Sequence, residues 1–395
     1  MGTKTLQKTK MIPYGKQWIT PKDIQSVAKI LASDWITQGP VVPKFENKFA
    51  KMVKAPWAVA VSSGTAGLHL ACLAQKLKSS DEVLVPAITF VATANAVLYA
   101  GAKPRFVDID PKTGNICPDD LEKKINKNSR GIIPVHFAGN PCAMGRILKI
   151  AKKHRLFVIE DACHALGSEY LGSPVGSGKD SDLTVFSFHP VKHITTGEGG
   201  MITGRSDKFK NTVLKLRNHG ITRNQIEFIN GSDGDWYYEQ QELGFNYRIT
   251  DFQAALGISQ LEKLKGFVSR RRALALNYLR SFKDWDLVQC LEENPDGKSS
   301  YHLFVILLNL ERLKTGRREI FNKLRQNGIG VQIHYIPLHY QPYFKKILGV
   351  QKGSLPGAEK FYERILTLPL YPQMSDAEQE KVIKTLKKIL YEGRR

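Results

Sequence analysis

The chain has 395 residues, 42% hydrophobic and 24% charged, a balance that fits a soluble globular protein of two domains and excludes a disordered or fibrous chain. No apolar run approaches the roughly 18 residues of a membrane span, and no apolar stretch follows the basic opening MGTKTLQKTK, so a frayed tail over residues 1–11 is expected and neither a membrane partner nor a secretory signal. A net charge of +21 raises nucleic-acid binding, but the basic residues are dispersed and no helix-turn-helix, zinc or aromatic RNA motif accompanies them; a solvated surface, or attraction of an anionic small substrate, explains them better.

Taken in chain order, residues 57–205 alternate short apolar runs with helix-length segments. WAVAVSS (57–63), DEVLVPA (81–87), PRFVDID (104–110), GIIPVHF (131–137), LFVIEDA (156–162), DLTVFSF (182–188) and GGMITG (199–204) read as buried strands. GTAGLHLACLAQKL (64–77) and MGRILKIAKKH (144–154) read as helices between them, a repetition that predicts an α/β domain on a mostly parallel sheet. A long amphipathic helix is expected within 242–267, beginning near Thr250, and SRRRALALNYLRSF (269–282) continues helical after it. Beyond the polar break LEENPDGKSS (291–300), a strand (301–309), a helix (317–328) and a closing helix (375–390) predict a smaller α+β domain. The expected division is a large domain over 12–265 and a small one over 266–395. Cys72, Cys117, Cys142, Cys163 and Cys290 show no C-x-x-C spacing, so no metal site or disulfide framework is expected, and a reducing cytoplasm is the expected setting.

Ligands collect at the carboxyl ends of strands in such sheets, and four of these ends carry polar or aromatic residues. Ser63, Gly64 and Thr65 stand where a helix begins and read either as a phosphate cradle or as a helix cap. Phe90 reads as a core aromatic or as a plate beneath a ring. Asp161, with His164 nearby, ends an apolar strand as a cap or a functional carboxylate. Ser187, His189 and Lys192 follow in SFHPVKHITTGEGG, which sets a lysine before a glycine-rich segment. Together, a phosphate cradle, an aromatic plate, a carboxylate and a lysine at one sheet edge are what pyridoxal 5′-phosphate requires: an amine for its aldehyde, an acid for its ring nitrogen and donors for its phosphate.

The segments SSGTAGLHLA, PAITFVATANAVLYAGAKPRFVDID, VIEDACHALGS, FSFHPVKHITTGEGGMI, LRNHGITR and LGFNYRITDFQAALGISQL resemble, in order, the signatures of the DegT/DnrJ/EryC1/StrS family of nucleotide-sugar aminotransferases, over roughly residues 12–390. The resemblance implies fold type I, similar to aspartate aminotransferase, and a homodimer with active sites at the subunit interface. It implies Lys192 as the Schiff-base lysine, Asp161 as partner of the ring nitrogen and His164 beside the ring. Phe90 would stack on the ring, Gly64, Thr65 and Ser187 would bind the phosphate, and Asn246 would reach the neighbouring subunit's phosphate. Within the family the chain is most similar to the pseudaminic-acid (PseC) branch through WITQGPVVPKFE and VQIHYIPLHYQPYF, while His193 and Gly197 depart from that branch's KPITTAEGG. That similarity implies transfer of an amino group from L-glutamate to C4 of UDP-2-acetamido-2,6-dideoxy-β-L-arabino-hexos-4-ulose, with Tyr14, Ile36, Thr37, Gln38, Gly39, His334, Tyr335, Ile336 and Pro337 lining the sugar pocket. Another 4-keto or 3-keto nucleotide sugar is the alternative substrate.

Overall fold

A computed structural model describes residues 11–395. Of the tail expected over 1–11, all but Met11 lies outside the described residues, and Met11 is exposed.

Seven short runs rich in Val, Ile and Ala form the central sheet: β1 (Trp57–Val61), β2 (Glu82–Pro86), β3 (Lys103–Val107), β4 (Ser129–Ile132), β5 (Phe157–Asp161), β6 (Leu183–Ser187) and β7 (Gly200–Gly204). Their spatial order is β1-β7-β6-β5-β4-β2-β3. The pairs β2–β3, β2–β4, β4–β5 and β5–β6 are parallel, whereas β7 runs antiparallel to both β1 and β6. Strands β1, β5 and β6 therefore point the same way, and their carboxyl ends open on one edge. Helices on the faces bury the strands on both sides, which is why these runs are continuously apolar rather than alternating.

The sequence reading differs at two places. The strand expected over 131–137 stops at Ile132, because Pro134 has no N–H to give a ladder; a single bridge pairs Val135 with Asp161, and a 3-10 turn covers Phe137–Gly139. The long helix expected from Thr250 is two helices, Asp251–Leu261 and Leu264–Phe282. At the junction Lys263 N–H bonds to Gln260 O at 3.0 Å, a tightened turn, while the Lys263 side chain ties back to Thr20 and Asp23.

Capping explains why these helices start where they do. Thr250 and Gln253 close a capping box, as do Ser375 and Glu378 ahead of the last helix, Asp376–Glu392. The wholly buried Asp251 carboxylate accepts from Gly39 N (2.8 Å), Val41 N (2.8 Å) and Val42 N (3.3 Å), so one side chain caps the helix Val41–Val53 from across the fold and holds the ITQG turn.

One apolar core lies between the sheet and the helices Gly64–Ala74 and Val91–Tyr99; a second packs Phe45, Phe49, Phe186 and Phe188 on the other face. A further core is built on the antiparallel strands Val288–Cys290, Phe304–Leu308 and Ile365–Leu368 with the helices Leu264–Phe282, Arg317–Gln326 and Asp376–Glu392, and it takes in Ile12 from the other end of the chain.

Candidate active site at the carboxyl edge of the sheet

Two residues separate β1 from the helix Gly64–Ala74, and Ser63 caps it by accepting from Ala66 N at 3.1 Å. The N–H groups of Gly64 and Thr65 have no acceptor within the helix and point toward its mouth, where the backbone favours an anion. Glycine is required at 64 because β6 comes close: a Cβ there would stand 2.9 Å from Ser187 Cβ and 3.1 Å from Cys163 Sγ. Glycine is required at 200 for the same reason, since a Cβ would lie 2.6 Å from Ser63 O. The glycine-rich stretch after Lys192 thus lets β7 press against the helix start, and Gly197 supplies a positive φ of 80° in the turn before it.

These junctions surround a cavity of about 460 Å³, of the size that holds small ligands. Its wall includes Tyr14, Gly64, Thr65, Phe90, Asp161, His164, Ser187, Lys192, His334 and Tyr335. Asp161, only 4% exposed, accepts from Thr93 Oγ1 at 2.8 Å and from Cys163 N at 3.2 Å. Burial draws the Lys192 amine below the ordinary lysine value, against the opposing pull of Cys163 and Asp161. His164 Nε2 lies 3.1 Å from Tyr335 Oη, and the His164 ring sits 4.4 Å from that of His302. Burial, with Lys192, His334 and His193 nearby, holds His164 well below the usual histidine range. Burial and Lys192 bring His334 down to about 3, while burial and the Asp161 charge push the Tyr335 phenol up. The walls therefore present His164, His302 and His334 as neutral imidazoles and Tyr335 as a phenol that keeps its proton, beside Asp161 and Lys192.

The profile of the DegT/DnrJ/EryC1/StrS aminotransferase family matches residues 17–387. The chain belongs to this family. It is 38% identical over 383 residues to the UDP-4-amino-4,6-dideoxy-N-acetyl-beta-L-altrosamine transaminase of Campylobacter jejuni, covering 96% of this chain and 98% of that one. It is also 37% identical to the spore coat polysaccharide biosynthesis protein SpsC of Bacillus subtilis, covering 97% and 98% of the two chains. Among solved structures it superposes with a TM-score of 0.90 on the sugar aminotransferase Spr1654 of Streptococcus pneumoniae in its PLP-form (31% identity; 97% and 99% covered). The TM-score is again 0.90 for PseC of Helicobacter pylori (30% identity; 97% and 100% covered). The fold is the aspartate aminotransferase-like fold type I.

For a DegT-family chain the residues present fit a phosphate-bearing pyridine aldehyde. The helix mouth at Gly64 and Thr65, with Ser187 beside it, is a cradle that a side chain at 64 would fill, and among the described residues Lys192 is the only lysine that lines the cavity. The buried Nδ1 atoms of His164 and His302 have no hydrogen-bond partner among the described residues. Of the residues expected from sequence, Asn246, Ile36, Thr37, Gln38, Gly39, Ile336 and Pro337 do not line this cavity within one chain. Asn246 is exposed and bridges only to Asn218, and Ile36 to Gln38 are exposed on the turn that Asp251 anchors.

The cavity also includes Thr89, Thr93, Cys163, Glu198 and His302, which the sequence reading did not assign to the site. His302 sits at the head of an apolar strand and reads as core. Thr93 follows Phe90 by three residues inside a helix, a position whose inward direction only the fold reveals.

Proposed function

We propose that this enzyme transfers the amino group of L-glutamate to C4 of UDP-2-acetamido-2,6-dideoxy-β-L-arabino-hexos-4-ulose, giving UDP-4-amino-4,6-dideoxy-N-acetyl-β-L-altrosamine, the precursor chemistry of pseudaminic acid. The cofactor is pyridoxal 5′-phosphate, which when bound supplies an electron sink for the carbanion left as the donor loses its α-proton. The observation that carries the reading is the lowered Lys192 amine in one cavity with Asp161 and the helix mouth at Gly64.

Each residue then has a task. Lys192 holds the cofactor aldehyde and, once displaced, its Nζ removes a proton from the donor's Cα; a lysine at its ordinary value would be too protonated at neutral pH for this, and burial lowers it in the direction the task needs. In the second half-reaction Nζ returns a proton to sugar C4. Asp161 holds the ring nitrogen's proton, Gly64, Thr65 and Ser187 hold the phosphate, and Phe90 and His164 flank the ring. Tyr14, His334 and Tyr335 face the sugar side, with the ITQG turn, Ile336, Pro337 and Asn246 serving across a homodimer interface. The phenol of Tyr335 keeps its proton and can donate to substrate oxygen. Five unpaired cysteines suit a reducing compartment, and we place the enzyme in the cytoplasm.

A second reading, another keto nucleotide sugar, is favoured by the similarity to SpsC at nearly the same identity as to the altrosamine transaminase, and by His193 and Gly197. Incubation with L-glutamate and a panel of UDP-, dTDP- and GDP-linked keto sugars, with mass detection of amino products, separates the two. Preferential amination of the UDP-linked 4-keto sugar supports the first reading; exclusive use of another sugar overturns it.

A further inference from the structure

Two buried threonine hydroxyls beside the proposed ring-nitrogen partner are not accounted for by the functional reading. Thr93 Oγ1 lies 2.8 Å from Asp161 Oδ2, and Thr89 Oγ1 lies 2.8 Å from Thr93 Oγ1. The direction of this chain follows from proton supply. Thr93 Oγ1 donates to the Asp161 carboxylate oxygen. Its one hydroxyl proton is then committed, so Thr89 donates to Thr93. The other carboxylate oxygen, Oδ1, takes the Cys163 N–H at 3.2 Å, so each oxygen of Asp161 has one donor from the chain.

The placement is a product of one helix start. Phe90 is the N-cap of Val91–Tyr99 and Thr93 is its third residue, with Thr93 N bonded to Phe90 O at 3.2 Å; Thr89 and Thr93, four apart, meet on the inner side of that turn. The same turn carries the aromatic plate of Phe90 at the cavity wall. A rotation of this helix start would move the plate and the carboxylate's donor together.

We infer that Thr93, backed by Thr89, is a positioning residue that fixes the Asp161 carboxylate for the cofactor's ring nitrogen, and that the Thr89–Thr93 turn sets plate and carboxylate as one unit. This rests on the functional reading above. Thr93 acts through Asp161, to which its hydroxyl donates. Replacement by valine keeps shape and burial while removing the donor, so it separates hydrogen bonding from packing.

The test compares wild type, Thr93→Val, Thr93→Ser and Thr89→Val as holoenzymes, reading the visible absorbance of the lysine-bound cofactor and the single-turnover rate with L-glutamate. Thr93→Val is expected to keep the visible band with its maximum displaced, and to lose roughly 10- to 100-fold in the maximal rate, the loss of one hydrogen bond to a charged group, with half-saturation by glutamate little changed. Thr93→Ser restores band and rate, and Thr89→Val shows a smaller loss. A Thr93→Val enzyme with the wild-type band and rate, or a Thr93→Ser enzyme as impaired as Thr93→Val, overturns the inference. Should Thr93→Val not fold, Thr93→Cys, similar in size with a weaker donor, takes its place with the same two outcomes. A wild-type protein that shows no visible band with cofactor would instead bring down the functional reading, and this inference with it.

Discussion

Lys192 sits where a charge is unwelcome, which suits the role proposed for its amine. The same burial that lowers the amine also keeps His164, His193 and His302 well below the usual histidine range, with His334 at about 3. Lys192→Ala is expected to abolish the visible cofactor band and turnover together; wild-type-like turnover in that variant contradicts its assignment. The histidines give a stability prediction with a definite sign. Their folded values lie below the unfolded value of about 6.5, so the unfolded chain binds more protons as pH falls. Stability is therefore complete above about pH 6.5 and is lost on acidification toward the folded values. Melting temperatures measured from pH 8 to pH 5 should begin to drop near that point, before most carboxylates titrate, and a flat profile over this window rules the buried neutral cluster out. That Lys192, Asp161, Ser187 and Gly64 would line one cavity was legible because each stands at or shortly after the end of an apolar strand. His302 and Thr93 were not, because a polar residue inside an apolar run gives no sign of which way it faces.

At the scale of elements, the junctions between strands and helices carry the site, and their chemistry was partly readable. The cap at Ser63 and the boxes at Thr250 and Ser375 announce helix starts in sequence. The anchoring of the ITQG turn was not readable, because Asp251 reaches Gly39, Val41 and Val42 across more than 200 residues of chain. Asp251→Ala leaves three N–H groups without their acceptor and should destabilise the fold by about 2 kcal/mol, in the upper range for a lost cap. Urea unfolding checks this, and a change below about 0.5 kcal/mol would show that the cap is dispensable. The two misread elements have local causes: Pro134 ends β4, and the tightened turn at Lys263 divides a helix that periodicity alone reads as continuous.

For the whole molecule, fold class and sheet composition followed from alternation of strands and helices, whereas the sheet's antiparallel member β7 did not, since a buried apolar run has no direction in sequence. We propose that the division near residue 265 separates two domains, with the third core described above forming most of the smaller one. Exposed apolar side chains at Trp35, Trp236, Tyr238 and Leu243, the last 81% exposed, flank the ITQG and Asn246 segments that a single chain leaves outside its cavity. We propose a homodimer in which Asn246 of the partner subunit completes each site. A mixture of Lys192→Ala and Asn246→Ala chains, unfolded and refolded together, should recover activity toward about one quarter of wild type, since half of the dimers are hybrids with one intact site of two. No recovery above the two variants alone would mean that Asn246 does not act across an interface. The net charge of +21 then favours encounter with an anionic nucleotide diphosphate, an effect that should weaken with salt.

The most direct test of amino transfer at the Lys192 cavity is the visible absorbance of the wild-type holoenzyme followed through the two half-reactions. L-glutamate alone should bleach the band of lysine-bound cofactor with release of one 2-oxoglutarate per site, and the UDP-linked 4-keto sugar should then restore the band as the amino sugar forms. A band that glutamate leaves unchanged, or a bleached enzyme that no keto nucleotide sugar restores, contradicts the account.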